Sequence, residues 1–472
     1  MKKIRAILIV LCLILALQPV SGVHAAEVTV SCRTLDATAT LGGNDKILDT
    51  TKAAIVYERG SGTMIYGYNM DKRIYPSSMV KLMTALVALE NGNLDDIVTV
   101  SKAALDSVAI GSVSAGLVRW EEISLRDLMY CMMVSSANDA AAVIALHVGG
   151  SMDMFILMMN EMAEKLGCSD TNFSNVHGLH DDNTYTTARD ICKILDYALE
   201  NPEFKQMFET KSYQVAATNK NDARDIITTN YMMSKDYTKK YFDDRVVGGK
   251  TGSTDKAGRC LAITADVNGM DVIAIVMGAE PVYNEDGVSV SRFGSFEEMS
   301  ELLDFVEGGF EFGQLFYDGQ VIDRFQVNGG DSDVAVGPVD DVMCVIPKKF
   351  DQEDMTWRIV EDKSALVAPI LKGQTVAQLQ VWYKDICIGS TELIAMNKVT
   401  VYEPFKEPQG NSAQEQEDRH GAVIAAILGV LVGIVVLFAV GLAAFRMIQV
   451  AMVKARIRRR RNMRRKRNAE LE

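Results

Sequence analysis

From residue 45 to 310, short apolar runs with strand character interchange with longer ones of helical length. Ala53-Ala54-Ile55-Val56-Tyr57 predicts a strand, Gly60-Ser61-Gly62 a turn, and Met64-Ile65-Tyr66-Gly67-Tyr68 the returning run. Ser78 to Glu90 predicts a helix, with Pro76 just ahead of it and Asn91-Gly92 to stop it. Residues 124–147 and 152–166 predict two more helices, apolar at so many positions that they should be largely buried. Leu261 to Val267 and Asp271 to Gly278 predict two strands joined by an Asn268-Gly269 turn. Strand pairs bracketing a helical cluster predict an α+β domain with an antiparallel sheet.

The pattern changes near residue 315. Val376 to Tyr383 sets Gln378 and Gln380 against Leu379, Val381 and Tyr383, and a second run follows from Ile386 to Ile394. No long helical pattern occurs there, so residues 315–403 predict a small all-β domain. Residues 404–420 are polar, with Pro, Gly, Gln and Glu, and predict a flexible linker.

Two further stretches carry topology. Residues 421–445 contain no charge, and as a helix they would be about 37 Å long, enough to cross a hydrocarbon core of about 30 Å. Residues 446–472 hold Arg458-Arg459-Arg460-Arg461 and Arg464-Arg465-Lys466-Arg467, a tail expected on the cytoplasmic side. At the other end, Lys2, Lys3 and Arg5 precede an apolar run from Ile7 to Leu17 and then Val23-His24-Ala25, which reads as a signal peptide over residues 1–25. The expectation is a single-pass protein of the cell membrane, with its large portion extracytoplasmic and its C-terminal tail cytoplasmic.

Charge sharpens this picture. Of the 49 basic residues, 14 lie in the first five positions or after residue 445, with only Glu470 and Glu472 of the 62 acidic ones. The remaining 35 basic and 60 acidic residues give the portion between them a charge of −25, against −13 for the chain. So acidic a surface argues against nucleic acid as a partner. Seven cysteines outside the signal peptide, scattered without paired spacing, make a poor disulfide framework, and five histidines in all leave little for a metal site. No cofactor or metal is expected.

Three short motifs then bring in chemistry: Ser78-Met79-Val80-Lys81, Ser136-Ala137-Asn138 and Lys250-Thr251-Gly252. Cleaving a peptide bond needs a nucleophile, a base to take its proton, and donors for the oxyanion. Ser78 and Lys81 stand three residues apart and share one helix face. A free lysine has a pKa of about 10.4, so Lys81 can serve as a base only if burial or a second cation lowers it. Lys250 is the candidate for that cation. Lys250-Thr251-Gly252 follows Val246-Val247-Gly248-Gly249, an edge-strand context to which an extended peptide could add, with the glycines allowing close approach.

The combination, in this order, resembles the active-site serine penicillin-interacting enzymes. Tyr75 to Thr84, Val134 to Ala141, the loop Asn172 to Leu179 and Gly248 to Leu261 resemble segments of the low-molecular-mass penicillin-binding proteins, the serine-type D-alanyl-D-alanine carboxypeptidases. The resemblance spans about residues 45 to 400. It implies a penicillin-binding or β-lactamase-like transpeptidase domain over 45–310, followed by the small β-domain. It also implies an activity: removal of the terminal D-alanine from peptidoglycan stem pentapeptides through an acyl-enzyme on Ser78, with β-lactams as inhibitors. Lys81 is then the simplest choice of base, Ser136 a proton relay, and Asn138 a ligand of the substrate backbone. Lys250 and Thr251 would hold the free carboxylate, beside Gly252, and the backbone N–H groups of Ser78 and Ser253 would form the oxyanion hole. Arg292 either matches a family arginine that helps bind the carboxylate or is a surface arginine. His177 is expected in a structural hydrogen bond, and Asp139 has no catalytic part in the family pattern. Two rivals stand beside this reading. A β-lactamase would need a deacylating Glu in an E-x-x-L-N loop, where this chain has Phe173 to Leu179. A non-catalytic membrane-bound sensor of β-lactams or muropeptides would need a signalling domain that the short tail does not offer.

Overall fold

The computed structural model describes residues 39–236, 238–284 and 290–403, together with Leu35, Leu428 and Val430. The expected signal peptide, linker and tail lie outside the described residues, as does the expected span apart from Leu428 and Val430. Among the described residues no single helix is long and apolar enough to cross a membrane.

A five-stranded antiparallel sheet organises the first module, in the order Thr63–Tyr68, Ala53–Glu58, Met270–Ala279, Gly258–Val267, Val246–Thr254. Ala53–Glu58 is buried along its whole length, and Gly258–Val267 and Met270–Ala279 are buried through their centres, because both faces are covered. Side chains alternate between the faces. Ala53, Ile55 and Tyr57 therefore join a core with the helices from Val80 to Glu209, while Ala54 and Val56 join a second core with helix Gly294–Gly309. Met270–Ala279 divides in the same way, Ile273, Ile275 and Met277 to one side and Val272, Ala274 and Val276 to the other. Asn268 and Gly269 both have positive φ, at 56° and 84°, the geometry of the tight turn expected there.

Helix Val80–Asn91 runs through the first core with every residue from Val80 to Ala88 buried, as an all-round apolar helix must be. A short 3-10 turn, Ser77–Met79, leads into it, and Gly92 follows its last residue. The single helix expected over 124–147 is instead two, Leu125–Val134 and Asn138–Gly149. The Ser124 hydroxyl caps the first by accepting from the Asp127 N–H at 3.0 Å. Its end is closed by the Ser135 hydroxyl, which donates to the Cys131 carbonyl at 2.8 Å, and Ser136 then turns the chain at φ 64°. The expected helix over 152–166 is Met152–Lys165, capped by Ser151.

The second module starts at Phe310, directly after the helix that ends at Gly309. It has its own core, built on a five-stranded sheet ordered Asp323–Phe325, Val334–Pro338, Ile386–Ala395, Thr375–Tyr383, Met355–Glu361 and on the pair Phe310–Phe316 with Val342–Pro347. Leu379, Val381 and Tyr383 are buried as the alternation requires. Gln380 is buried too, so the polar face is partly covered as well. The modules meet where the Thr63 hydroxyl donates to the Ile388 carbonyl at 3.0 Å. Among the described cysteines, Cys387 is disulfide-bonded, whereas Cys131, Cys168, Cys192, Cys260 and Cys344 are free and buried.

Candidate active site

The three motifs converge at the end of the first core. Lys81 lies one turn beyond Ser78, with its Nζ 3.1 Å from the Ser78 Oγ, and donates to the Asn138 Oδ1 at 2.7 Å and to the His177 carbonyl at 2.6 Å. Lys250, on the edge strand Val246–Thr254, donates to the Ser136 Oγ at 2.8 Å and to the Thr251 carbonyl at 3.2 Å. Both lysines are almost wholly buried, at 0% and 1% exposure. Burial first, and the Lys250 charge second, hold the Lys81 ammonium well below its usual range, with Asp139 acting the other way. Burial lowers Lys250 to about 7.

Sequence reasoning places Ser136 and Asn138 on a helix. The structure places Ser136 in the break between two helices, with Asn138 opening the second. A left-handed serine costs about 1–3 kcal/mol, and residues held that way cluster at functional sites. Here it directs the Ser136 hydroxyl to Lys250. The glycines of the third motif also differ from expectation, because the protein's own packing takes up their space. A Cβ on Gly252 would stand 3.1–3.2 Å from the Pro76 carbonyl, the Ser77 Cβ and the Ser78 nitrogen, so this backbone lies directly against the nucleophile turn. Gly178 supports that turn from the other side: its φ is 82°, and a Cβ there would stand 1.9 Å from the Ser77 carbonyl oxygen.

Several residues have roles that their letters did not announce. His177 contributes its carbonyl to Lys81, while its Nδ1 accepts from the Leu179 N–H at 3.2 Å. Burial and the Lys81 charge lower its ring pKa to about 4, so it is neutral at pH 7. The buried Asp139 carboxylate accepts from the Ser114 hydroxyl at 2.6 Å and the Ala115 and Leu117 N–H groups at 2.9 and 3.1 Å. With Asn138 N–H donating to the Val113 carbonyl at 2.8 Å, this ties segment 113–117 to the start of the Asn138 helix. A carboxylate directly after the motif was visible in the sequence; the loop that it holds was not. Arg292 does not join the cluster. It is exposed and forms a two-pronged ion pair with Glu297, with nitrogen–oxygen distances of 2.6–3.1 Å. Ser253 is exposed on the edge strand.

Residues 44–281 match the family described as D-alanyl-D-alanine carboxypeptidase, and residues 310–401 match the penicillin-binding protein 5 C-terminal domain. The chain belongs to the D-alanyl-D-alanine carboxypeptidase family. It is similar to D-alanyl-D-alanine carboxypeptidase DacA of Haemophilus influenzae, 30% identical over 361 residues, which are 74% of this chain and 85% of the relative. It is also similar to DacF of Bacillus subtilis, 26% identical across 75% of this chain and 86% of that protein. Among solved structures, penicillin binding protein 5 from Haemophilus influenzae superposes with a TM-score of 0.60 at 29% identity, covering 76% of this chain and all of the other. The family has the transpeptidase domain followed by a β-domain that the two modules here display.

Proposed function

We propose how this cluster performs the work of a serine D-Ala-D-Ala carboxypeptidase. The chain is such an enzyme and a penicillin-binding protein by its family. The observation that carries the division of labour is the set of partners around Lys81. Asn138 Oδ1 and the His177 carbonyl can only accept hydrogen bonds, so they take the two N–H groups of a neutral amine. The lone pair is left for the Ser78 hydroxyl at 3.1 Å. Lys81 is thus a base already aimed at its proton.

In acylation the Ser78 Oγ attacks the carbonyl carbon of the penultimate D-alanine while its proton passes to Lys81. The Ser78 and Ser253 N–H groups receive the oxyanion. As the C–N bond breaks, the Ser136 hydroxyl passes a proton to the departing D-alanine amine and is reprotonated from Lys250. The proton that Lys81 took then returns to Lys250. Lys81, neutral again, takes a proton from the water that attacks the ester and gives it to the Ser78 Oγ as the C–O bond breaks, which frees the shortened peptide and restores the site. Lys250 and Thr251, beside Gly252, hold the terminal carboxylate, Asn138 also meets the peptide backbone, and Arg292 could join the carboxylate only by leaving Glu297. The substrate is a peptidoglycan stem peptide ending in D-Ala-D-Ala, and β-lactams acylate Ser78 in its place. Where a β-lactamase would hold a deacylating carboxylate, this chain offers the His177 carbonyl, which supports a slowly hydrolysed penicilloyl-enzyme.

The proposal includes export by residues 1–25, a span over 421–445, a cytoplasmic tail, and a linker reaching about 20–25 Å from the membrane. Charge and length support it. Two experiments test these readings. The purified chain should release D-alanine from a D-Ala-D-Ala pentapeptide, with a penicillin adduct on Ser78 and none in Ser78→Ala; an adduct retained in that variant overturns the nucleophile. On intact wall-stripped cells, protease should spare a tag placed after Glu472, and a cleaved tag overturns the topology.

A further inference from the structure

Between the second and third motifs lies a short loop, Thr228 to Asn230, to which the family pattern quoted above gives no part. It is fixed at both ends. The Thr228 N–H donates to the Lys211 carbonyl at 2.8 Å, and the Thr228 hydroxyl accepts from the Asn230 N–H at 3.1 Å. The Asn230 side chain is fully buried and accepts from the Met232 N–H at 3.1 Å. Its amide presses on the edge strand so closely that a Cβ on Gly249 would stand 2.3 Å from its nitrogen. Thr229 sits between these anchors. Its N–H donates to the Val134 carbonyl at 3.3 Å, two residues before Ser136, and its hydroxyl is hydrogen-bonded to the hydroxyl of Thr251.

We propose that Thr229 is a positioning residue that sets the direction of the Thr251 hydroxyl, and so makes the site selective for substrates with a free terminal carboxylate. The inference rests on the reading that Thr251 holds that carboxylate. A carboxylate only accepts, so Thr251 must give it its single O–H. The hydrogen bond between the two threonines must then run the other way, with Thr229 donating to the Thr251 oxygen. With Thr229 in place, the hydroxyl of Thr251 is turned towards the cleft before substrate arrives. Without it, Thr251 is free to rotate its proton elsewhere, and the carboxylate meets a lone pair.

The test compares a D-Ala-D-Ala pentapeptide with its C-terminal amide on Thr229→Val, Thr229→Ser and Thr251→Val. Valine keeps the shape and removes the donor. Thr229→Val should raise KM for the acid about tenfold, as for a hydrogen bond to a charged group. The amide should change less than about twofold, and Thr229→Ser should restore the acid to within about twofold. A selective loss in Thr251→Val, combined with none in Thr229→Val or with equal losses on both substrates, would overturn the role of Thr229 alone. A Thr251→Val variant that affects acid and amide alike would overturn the carboxylate reading itself, and the inference with it.

Discussion

The two folded modules treat polarity in opposite ways. Between Ala53 and Gly309 the fold buries Lys81, Lys250, Asp139, Ser136 and Asn138 in one cluster, together with further carboxylates such as Glu121 and Asp190. From Phe310 to Glu403, Gln380 is the one buried polar side chain among the described residues. Desolvating an ammonium is costly, and each buried amine needs acceptors arranged for it. Lys81 has two, the Asn138 Oδ1 and the His177 carbonyl, drawn from separate segments of the chain, with the Ser78 hydroxyl as its third partner. Nothing in the β-module requires such convergence, and its sheet follows the plain rule of apolar residues inward. The difference teaches where stability has been given up for chemistry.

The largest expected effect breaks that comparison if it fails. Lys81→Met keeps the length of the side chain and removes the buried amine. Acylation by a fluorescent penicillin should fall about 10²–10⁴-fold, because a general base is lost. The melting temperature should hold or rise, because an apolar side chain now fills an apolar site. Gln380→Leu in the β-module should leave acylation within about twofold. A Lys81→Met chain that fails to fold would mean that the ammonium is a structural strut.

Backbone strain gives the next effect. Gly178 and Gly373 share a positive φ, 82° and 87°, but a Cβ would collide with the nucleophile turn at Gly178 and meet nothing within 4 Å at Gly373. Gly373→Ala should cost about 1 kcal/mol of stability and no activity. Gly178→Ala should cost more, about 1–3 kcal/mol, and slow acylation at least about tenfold by moving Ser78. Equal behaviour in denaturation and penicillin labelling would remove the distinction between a turn that shapes the site and one that only closes a loop.

How much of this was legible in the sequence follows the same division. The Leu261 to Gly278 hairpin was, since Asn268-Gly269 carries its own turn chemistry. So was the spacing of Ser78 and Lys81, because a helix fixes which residues share a face. The break at Ser135–Ala137 was not, for the segment holds neither glycine nor proline; Ser136 is held by Lys250, and the Asn138 N–H by the Val113 carbonyl, both distant in sequence. The His177 carbonyl was invisible for another reason: a backbone atom leaves no letter.

The smallest expected effect is a dependence of stability on pH, whose sign near neutrality is set by the buried lysines of the first module. Lys250 folds with its pKa lowered from 10.5 to about 7, and Lys81 is lowered well below 10.5. Above about pH 7 the unfolded chain therefore carries protons on both amines that the folded chain increasingly lacks. Stability rises with pH wherever the unfolded state binds more protons, so it should climb through this window. Lys250 alone should add about 1 kcal/mol between about pH 7 and 8. The window stops there because the buried thiols act in reverse. Burial raises Cys131 and Cys344 to about 12 and Cys260 to about 11, so the unfolded chain loses thiol protons first, from about pH 8.5 upward. The His177 ring, lowered to about 4, is neutral in the folded chain throughout this window, and the last protons leaving the unfolded ring act in the same direction as Lys250. Urea unfolding at about pH 7 and pH 8 should thus give a higher midpoint at pH 8 for the native chain and a smaller increase for Lys250→Met. An unchanged increase in Lys250→Met would mean that Lys250 keeps its charge in the folded protein, and that its hydrogen bonds to Ser136 and Thr251 outweigh its burial.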